Sequence, residues 1–387
     1  MSIGVESDAA ASGDSGGSLG RRAVSRLDWI ILSLIALVTI AMLFAGMELI
    51  VRVRRLHSIS TLQKCILQTA SGLRGVPNSV CTLTNPDGVD VEYSFNSCGD
   101  RTPFDCDKKP EGAYRIVLIG SSVAMGWDVP EPESLAERLS DGLSRSTHRR
   151  VEVYNSAMFG SPENLAERVS RVIALKPDLI LWVLASHDVD KRKIKNREQE
   201  FRESPRARRG LKGTLDMPKV AEFLRGLLYQ SQSAYMAAYL RNIRETAQLP
   251  ENSKSEEDGR MVLFNSYVKT IVDEAKAAGV PVVATFLPNR AESDLFAMSP
   301  RPAGIDPDRL NDEVRTLMVS DGATYVDVAA DLQKAFNLDG LYDQQGYHPN
   351  AEGHAVLTQI LAKALTGGAV PALSTHEQAP AEKMLQK

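Results

Sequence analysis

The first apolar pattern along the chain is a long run close to its N-terminus. Residues 29–47 contain no charged residue and are mostly Ile, Leu, Val and Ala. At about 1.5 Å of rise per residue, this run, extended to residue 51, spans a hydrocarbon core of about 30 Å. A buried core helix carries a polar stripe, and a cleaved signal peptide has a shorter apolar region and a small-residue cleavage site. The sequence therefore predicts an uncleaved transmembrane anchor at residues 29–51, after a disordered tail at residues 1–28.

A different pattern begins at residue 113, where short apolar runs alternate with helical periodicity. Strands are expected at residues 115–119, 151–154, 179–185, 280–286 and 324–328. Helices are expected at residues 134–143, 163–175, 264–278, 307–319 and 351–365. Strands that alternate with helices predict right-handed crossovers and a parallel sheet with helices on both faces. We expect an α/β domain at residues 113–367, a three-layer α/β/α flavodoxin-like sandwich with a five-stranded parallel sheet, with an insertion near residues 190–260 and a disordered tail at residues 368–387.

The cysteines decide how the anchor is oriented. Arginines flank both of its ends, so the positive-inside rule is nearly tied. All four cysteines lie in residues 52–112, and their spacing lacks the close CxxC pairs of a zinc site. Two disulfides in an oxidising compartment explain this cluster, with four unrelated thiols as the alternative. We therefore predict a Cys-containing juxtamembrane neck at residues 52–112 and a C-terminal domain on the extracytoplasmic, periplasmic side of the cell membrane.

The net charge and the motifs that are missing argue against several classes of function. The net charge of −4 indicates no nucleic-acid partner. Neither GxGxxG nor GxxxxGK[ST] occurs, so a nucleotide site has no support, and no metal constellation or other cofactor is predicted. Residues 191–212 are heavily basic, and form either a solvated insertion or a surface for anionic lipid head groups or a charged glycan.

Candidate chemistry lies where the predicted strands end. Residues 120–126, GSSVAMG, follow the first strand, and residues 155–160, NSAMFG, follow the second. Residues 186–188, SHD, follow the third, and residues 342–350, YDQQGYHPN, precede the last helix. Open α/β sheets bind ligands outside the carboxyl ends of their strands. The alternatives are that Ser121 and Ser122 only cap a turn and that His348 is a surface or packing residue.

This ordered set resembles the SGNH (GDSL-type) hydrolase superfamily over residues 113–365, including its membrane-anchored bacterial members. There the blocks read GDSxxxG, Asn followed by Gly, GxND and DxxHPN. The resemblance implies that Ser122 is the nucleophile and His348 the general base, because a serine hydroxyl is a poor nucleophile until an imidazole accepts its proton. It also implies that the backbone N–H groups of Ser122 and Gly160 stabilise the oxyanion.

Three positions depart from the superfamily pattern. Ser121 replaces an Asp, and His187 replaces an Asn whose amide helps bind the oxyanion, so His187 is either a third oxyanion donor or a packed residue. The triad acid normally lies three residues before the histidine, where this chain has Gln345. Asp343 is the nearest carboxylate and our candidate acid, provided that the loop bulges. Otherwise the site is a Ser–His dyad or nearly inert.

The insertion is the last region with a functional interpretation. Residues 217–245 carry a helical pattern that predicts a lid or extra helices over the sheet. Within it, Tyr235, Met236 and Tyr239 either line an acyl pocket or pack in the core.

The sequence as a whole predicts a membrane-anchored serine esterase of SGNH type. It would remove an ester-linked acyl group, acetyl among the candidates, from an extracytoplasmic glycan or lipid. An O-acyltransferase on surface polysaccharide and a catalytically inactive binding or assembly module are the alternatives. The acylated substrate and the membrane are the expected partners, and the oligomeric state is not predicted.

Overall fold

The computed structural model describes residues 26–69, 72–85, 89–160, 162–189, 224, 228, 234, 236–241, 252–298, 300, 302–303, 305–332, 334, 339–343 and 348–375. Several predicted features lie outside the described residues: the N-terminal tail to residue 25, the basic segment 191–212, Tyr235, Gln345 and the chain after residue 375.

Helix α1, Arg26–Cys65, contains the long apolar run. Its part Arg26–Ile50 has a mean hydropathy of 2.6 and is not buried. Among the described residues this is the one helix long and apolar enough to cross a membrane, and an N-terminal signal sequence has the same length and composition. The chain divides into two units at this point, residues 1–50 and residues 51–387.

The neck folds into two antiparallel strand pairs. Strands β1, Ile66–Thr69, and β2, Gly72–Gly75, form the first pair, and β3, Val80–Thr84, and β4, Asp90–Ser94, form the second. Two disulfides, Cys65–Cys81 and Cys98–Cys106, join its segments, in agreement with the expected oxidised cysteines. Alternate residues of β3 and β4 are buried in the same apolar cluster as the first face of the α/β sheet. The neck therefore packs onto the α/β domain.

The α/β domain contains the five-stranded parallel sheet that the sequence predicts. Its strands are β5, Tyr114–Gly120; β6, Val151–Asn155; β7, Leu179–Ala185; β8, Val282–Leu287; and β9, Thr324–Tyr325. Their order is β6-β5-β7-β8-β9, and every pair is parallel. Strands β5 to β8 are buried along their whole length, as in a sheet covered on both faces. Strand β9 is shorter than predicted.

Helices cover the two faces and complete the three layers. Ile116 and Leu118 of β5 belong to one apolar cluster, and Val117 and Ile119 belong to the other. The helices are α2, Ser122–Met125; α3, Leu135–Thr147; α4, Pro162–Glu167; α5, Val169–Ala174; α6, Ser186–Val189; α7, Asn252–Ala277; α8, Arg290–Ala297; α9, Arg309–Asp321; α10, Ala329–Leu332; and α11, Ala351–Ala364. Helices α3 and α11 pack on the first face, while α4, α5, α7 and α9 pack on the second.

Two boundaries differ from the prediction. The helix expected at residues 163–175 is divided into α4 and α5 at the buried Arg168, whose φ of −111° and ψ of 9° are not helical. The disordered tail expected from residue 368 is wrong for residues 368–375. There a 3₁₀ turn, Pro371–Leu373, follows α11, and Val370 and Leu373 are buried in the core. Side chains three positions apart lie on the same side of a 3₁₀ turn, so Val370 and Leu373 pack together against the core.

Candidate active site

Ser122 stands on a sharp turn at the carboxyl end of β5. Gly120 ends the strand with φ 148°, and a Cβ there would lie 2.3 Å from the carbonyl oxygen of Val183, so the turn requires glycine. Ser121 is extended and occupies the N-cap position of α2 without a side-chain capping hydrogen bond, and Ser122 is the first residue of α2. Gly126 closes α2 with φ 78°. The turn therefore places Ser122 beside the edge where an α/β sheet binds its ligands.

A looped-back segment before α11 holds the histidine and the carboxylate. The N–H of Asp343 donates to the carbonyl of His348 at 2.8 Å, and the N–H of Asn350 donates to the carbonyl of Leu341 at 2.9 Å. The side chain of Asn350 then caps α11 by accepting from the N–H of Gly353 at 3.0 Å. Because the backbones of Asp343 and His348 pair across this loop, a carboxylate five positions before the histidine lies beside it.

The structure brings Ser122, His348 and Asp343 together in a line. Ser122 Oγ lies 2.9 Å from His348 Nε2, and His348 Nδ1 lies 3.3 Å from Asp343 Oδ2. All three residues are at most 9% exposed. The first distance suits a nucleophile and its base. The second is longer than the 2.7–2.9 Å or so of a tight charge-assisted hydrogen bond.

The loop after β6 runs beside the turn that carries Ser122. The N–H of Met158 donates to the carbonyl of Gly120 at 3.2 Å, and Asn155 Nδ2 donates to the carbonyl of Met125 at 3.2 Å. Further along, Gly160 has φ 136°, and a Cβ there would lie 2.9 Å from Asn164 Oδ1. A glycine is thus needed where the superfamily pattern expects an oxyanion donor.

His187 contacts Ser121, the residue before Ser122. Its Nε2 lies 3.0 Å from Ser121 Oγ and 3.5 Å from Asp188 Oδ1. Asp188 is fixed by its other oxygen, which accepts the N–H of Ala185 at 2.8 Å. Two of the departures from the superfamily pattern therefore form one hydrogen-bonded pair, which joins two loops 66 positions apart in the chain and has no local signal in the sequence.

A small pocket opens beside this pair. It is partly open to solvent and leaves about 10 Å³ for the centre of a water-sized group; its lining residues are Gly120, Ser121, Gly160, Pro162, Leu165, Trp182, Leu184 and Asp188. The lining combines apolar side chains of β7 and α4 with the polar side chains of Ser121 and Asp188. Met236 and Tyr239, which were candidates for an acyl pocket, are not among its lining residues.

Arg101 of the neck supports the segment after α2, the helix that begins at Ser122, and the sequence alone did not indicate this role. It is 1% exposed, and its guanidinium donates to the carbonyls of Gly126 at 2.6 Å and Val129 at 2.7 Å. It also lies 4.3 Å from the centre of the Tyr93 ring. Burial lowers the pKa of Arg101, and the nearby Tyr93, Glu131 and Asp128 raise it by a smaller amount. An arginine in a short Cys-flanked loop gives no sequence signal that it will be buried.

Asp100, the preceding residue, supports the loop after β6. Its carboxylate accepts hydrogen bonds from the Tyr154 hydroxyl at 2.8 Å and from Ser156 Oγ at 3.3 Å, and it pairs with Arg171. Asp100 and Arg101 both lie inside the Cys98–Cys106 disulfide loop. The stapled neck is therefore connected to both loops of the candidate site.

A third histidine, His354 of α11, lies behind the site and is 1% exposed. Its Nδ1 accepts the N–H of Leu135 at 2.9 Å, which ties α11 to the start of α3. Burial lowers the pKa of His354 to about 3, with further contributions from Arg101, His348 and Arg138. His354 is therefore neutral at pH 7 and serves as a hydrogen-bond acceptor.

Two groups of side chains in the described part of the chain bring three donor atoms close together. Cys98, Cys106 and Asp107 form the first, but its sulfurs are consumed in a disulfide and are not thiolate ligands. The second group is Asp128, Asp343 and His348, whose contributing atoms all lie within 4.8 Å of one another. Because His348 is hydrogen-bonded to Ser122, we interpret this group as carboxylates gathered around an imidazole.

Comparison with known proteins is consistent with this geometry. The model of the GDSL-like Lipase/Acylhydrolase family matches residues 118–356. No curated protein sequence matches the chain. A lipase/acylhydrolase from Enterococcus faecalis is 15% identical, with 66% of this chain and 96% of that chain covered and a TM-score of 0.39. TesA is 10% identical, with coverage of 67% and 99% and a TM-score of 0.38. The acetyl xylan esterase AlAXEase is 11% identical, with coverage of 65% and 99% and a TM-score of 0.39.

Proposed function

The chain belongs to the GDSL-like lipase/acylhydrolase family and is a hydrolase of ester bonds, and we propose that it works as a serine esterase with Ser122 as nucleophile and His348 as general base. The observation that carries this proposal is the 2.9 Å contact between Ser122 Oγ and His348 Nε2, two atoms whose residues are 226 positions apart. A binding module without catalysis has no need for this contact.

In the first half of the reaction, Ser122 Oγ attacks the ester carbonyl carbon while its proton passes to His348 Nε2. The carbonyl oxygen becomes an oxyanion, for which the backbone N–H groups of Ser122 and Gly160 are the proposed donors, with His187 as a proposed third donor. The tetrahedral intermediate then collapses. The imidazolium gives its proton to the leaving alkoxide, an alcohol departs, and the acyl group stays on Ser122.

In the second half, water replaces the alcohol. His348 takes a proton from the water as it attacks the acyl carbonyl, and returns the proton to Ser122 Oγ when the carboxylic acid is released. Asp343 is the proposed acid that orients the ring through Nδ1 and stabilises the imidazolium. Its distance of 3.3 Å from Nδ1 supports this role.

The acyl group that we propose is short, with acetyl as the best candidate. The pocket beside Ser121 and Gly160 is narrow, leaving about 10 Å³ for the centre of a water-sized group, and its walls include Leu165, Trp182 and Leu184. Such a space suits a methyl or short alkyl group better than a long chain. The alcohol part of the ester is proposed to be a glycan or lipid outside the cytoplasm, since the chain combines an apolar N-terminal helix with two disulfides.

A fluorophosphonate probe tests the proposal, because it labels only an activated serine. We expect labelling of the full chain at Ser122, mapped by mass spectrometry of the peptides, together with turnover of p-nitrophenyl acetate. Ser122→Ala should lose both, whereas Ser320→Ala, a matched change at an exposed serine of α9, should keep both. Labelling that persists in Ser122→Ala would refute the proposed nucleophile.

A further inference from the structure

We propose that Asp128 is a second carboxylate partner of His348, a positioning residue that acts on the imidazole jointly with Asp343. The inference rests on the proposed function, because it assigns a role in the same reaction. Its basis is that one oxygen of Asp128, one oxygen of Asp343 and one ring nitrogen of His348 all lie within 4.8 Å of one another.

The carboxylates come from opposite sides of the site. Asp343 belongs to the loop before α11, and Asp128 belongs to the loop that follows α2 and the nucleophile. The bond from Asp343 to His348 Nδ1 measures 3.3 Å, so this carboxylate does not hold the ring by a short bond of its own. A second negative charge nearby adds to the stabilisation of the imidazolium that forms when Ser122 loses its proton.

The backbone of Asp128 adopts a conformation that few residue types tolerate. Its φ is 64°, in the left-handed region where glycine is the least strained residue. Besides glycine, Asn and Asp adopt this conformation most readily, so an aspartate fits the turn. Non-glycine residues held in this conformation cluster at functional sites, where their surroundings over-determine the strain. What an aspartate adds over glycine at this position is the carboxylate.

The neck provides the surroundings that hold Asp128 in place. The N–H of Asp128 donates to the Tyr93 hydroxyl at 2.8 Å, and Asn85 Nδ2 donates to the carbonyl of Asp128 at 3.3 Å. Arg101 binds the carbonyls on either side, those of Gly126 and Val129. Three residues of the neck thus fix the loop that presents the carboxylate to His348.

The positive charge of Arg101 reduces the repulsion between the two carboxylates. Burial lowers the pKa of Arg101, whereas the nearby Tyr93, Glu131 and Asp128 act in the opposite direction, as expected for a cation close to acidic groups. The two carboxylates would therefore stabilise the charge that develops on His348 in the transition state. Interactions of this kind raise kcat and leave KM nearly unchanged.

Asp128→Gly separates catalysis from structure, because glycine keeps the left-handed turn and removes only the carboxylate. With p-nitrophenyl acetate and the full chain in detergent, we expect kcat to fall about tenfold, a small part of the roughly 10⁴-fold loss known for removal of a sole triad carboxylate. KM should change less than about twofold, and the melting temperature should not fall. Glu131→Gln is the charge-matched control, since Glu131 also interacts with Arg101 but lies outside the cluster.

A double-mutant cycle and a conservative variant complete the test. Asp128→Asn and Asp343→Asn together should cost more in kcat than the product of their separate losses, because each carboxylate compensates for loss of the other. Asp128→Glu should restore part of the kcat that Asp128→Asn loses. The inference is overturned if Asp128→Gly has wild-type kcat, if the two losses simply multiply, or if Asp128→Glu is no better than Asp128→Asn. Failure of the proposed function looks different, since turnover would then persist in Ser122→Ala.

Discussion

Two adjacent serines at the end of β5 each contact a histidine, and the two pairs differ in how the imidazole is used. Ser122 Oγ lies 2.9 Å from His348 Nε2, and Ser121 Oγ lies 3.0 Å from His187 Nε2. In the first pair the carboxylate of Asp343 lies at the other ring nitrogen. In the second pair the carboxylate of Asp188 lies 3.5 Å from the same nitrogen that faces the serine.

This difference decides which pair is suited to catalysis. A base that takes a proton on Nε2 needs Nδ1–H fixed by an acceptor, as His348 has in Asp343. His187 instead directs one nitrogen to both Ser121 and Asp188, so the carboxylate and the hydroxyl share one atom of the ring. Distance between a serine and a histidine is therefore insufficient evidence, and the division of partners between the ring nitrogens is the more informative observation.

The largest expected effect on kcat comes from replacing the two histidines one at a time. His348→Gln should lower kcat for p-nitrophenyl acetate by about 10⁴-fold or more, because the base is lost. His187→Gln should cost only about tenfold, since an amide still hydrogen-bonds near Ser121. Steady-state kinetics of both variants, with their melting temperatures as a check on folding, test the comparison. Equal losses in the two variants would contradict it.

Gly160→Ala tests whether the backbone N–H of Gly160 helps to bind the oxyanion that forms when Ser122 attacks the ester. The added Cβ meets Asn164 and the φ of 136° disfavours alanine, so the loop must shift and displace its N–H. We expect kcat to fall about 100-fold, as for loss of one oxyanion donor, with little change in KM. Gly142→Ala, in α3 with open space around it, is the control that should keep wild-type rates. A wild-type kcat for Gly160→Ala would remove Gly160 from the proposed mechanism.

His354 extends the comparison to a buried histidine that belongs to neither serine–histidine pair. Its pKa of about 3 in the folded protein lies below the value of about 6.5 in the unfolded chain. The unfolded state therefore binds more protons between these values, so the contribution of His354 to stability is complete above pH 6.5 and is lost as the pH falls toward 3. At pH 5 this loss is about 2 kcal/mol. Urea unfolding at pH 7 and pH 5 should show a smaller decrease for His354→Gln than for wild type, and an equal decrease would contradict the buried neutral state.

The smallest effect is expected for Ser121→Ala. It removes the hydroxyl that pairs with His187 and leaves the Ser122 pair intact, so kcat should fall by less than about tenfold and fluorophosphonate labelling of Ser122 should remain. Combined with His187→Ala, the losses should not multiply, because both variants remove the same hydrogen bond. Loss of labelling in Ser121→Ala would show that this serine contributes to the nucleophile itself.

The strands of the sheet were predictable because a strand that is buried on both faces is built almost entirely of apolar residues, which the sequence shows directly. Strand β7 was predicted at its observed bounds, and β5, β6 and β8 to within two residues at each end, since runs of apolar residues bounded by Gly or Pro are typical of buried parallel strands. The break at Arg168 was not predictable, because the apolar periodicity continues across it and only the packed structure buries the guanidinium. The ordered turn after α11 was not predicted, because the composition of this segment does not show that Val370 and Leu373 pack into the hydrophobic core.

By itself, the sequence determined the α/β class, the apolar N-terminal helix, the cysteine-rich neck and the order of the blocks that carry Ser122, Gly160, His187 and His348. These features depend on local periodicity and residue type. Only the tertiary structure decided that Asp343 reaches His348 from five positions away, that Ser121 pairs with His187, and that Asp100, Arg101 and Asp128 lie beside the site. The physical reason is that these contacts join loops far apart in the chain, and loop positions are set by long-range packing rather than by the residues of the loop alone.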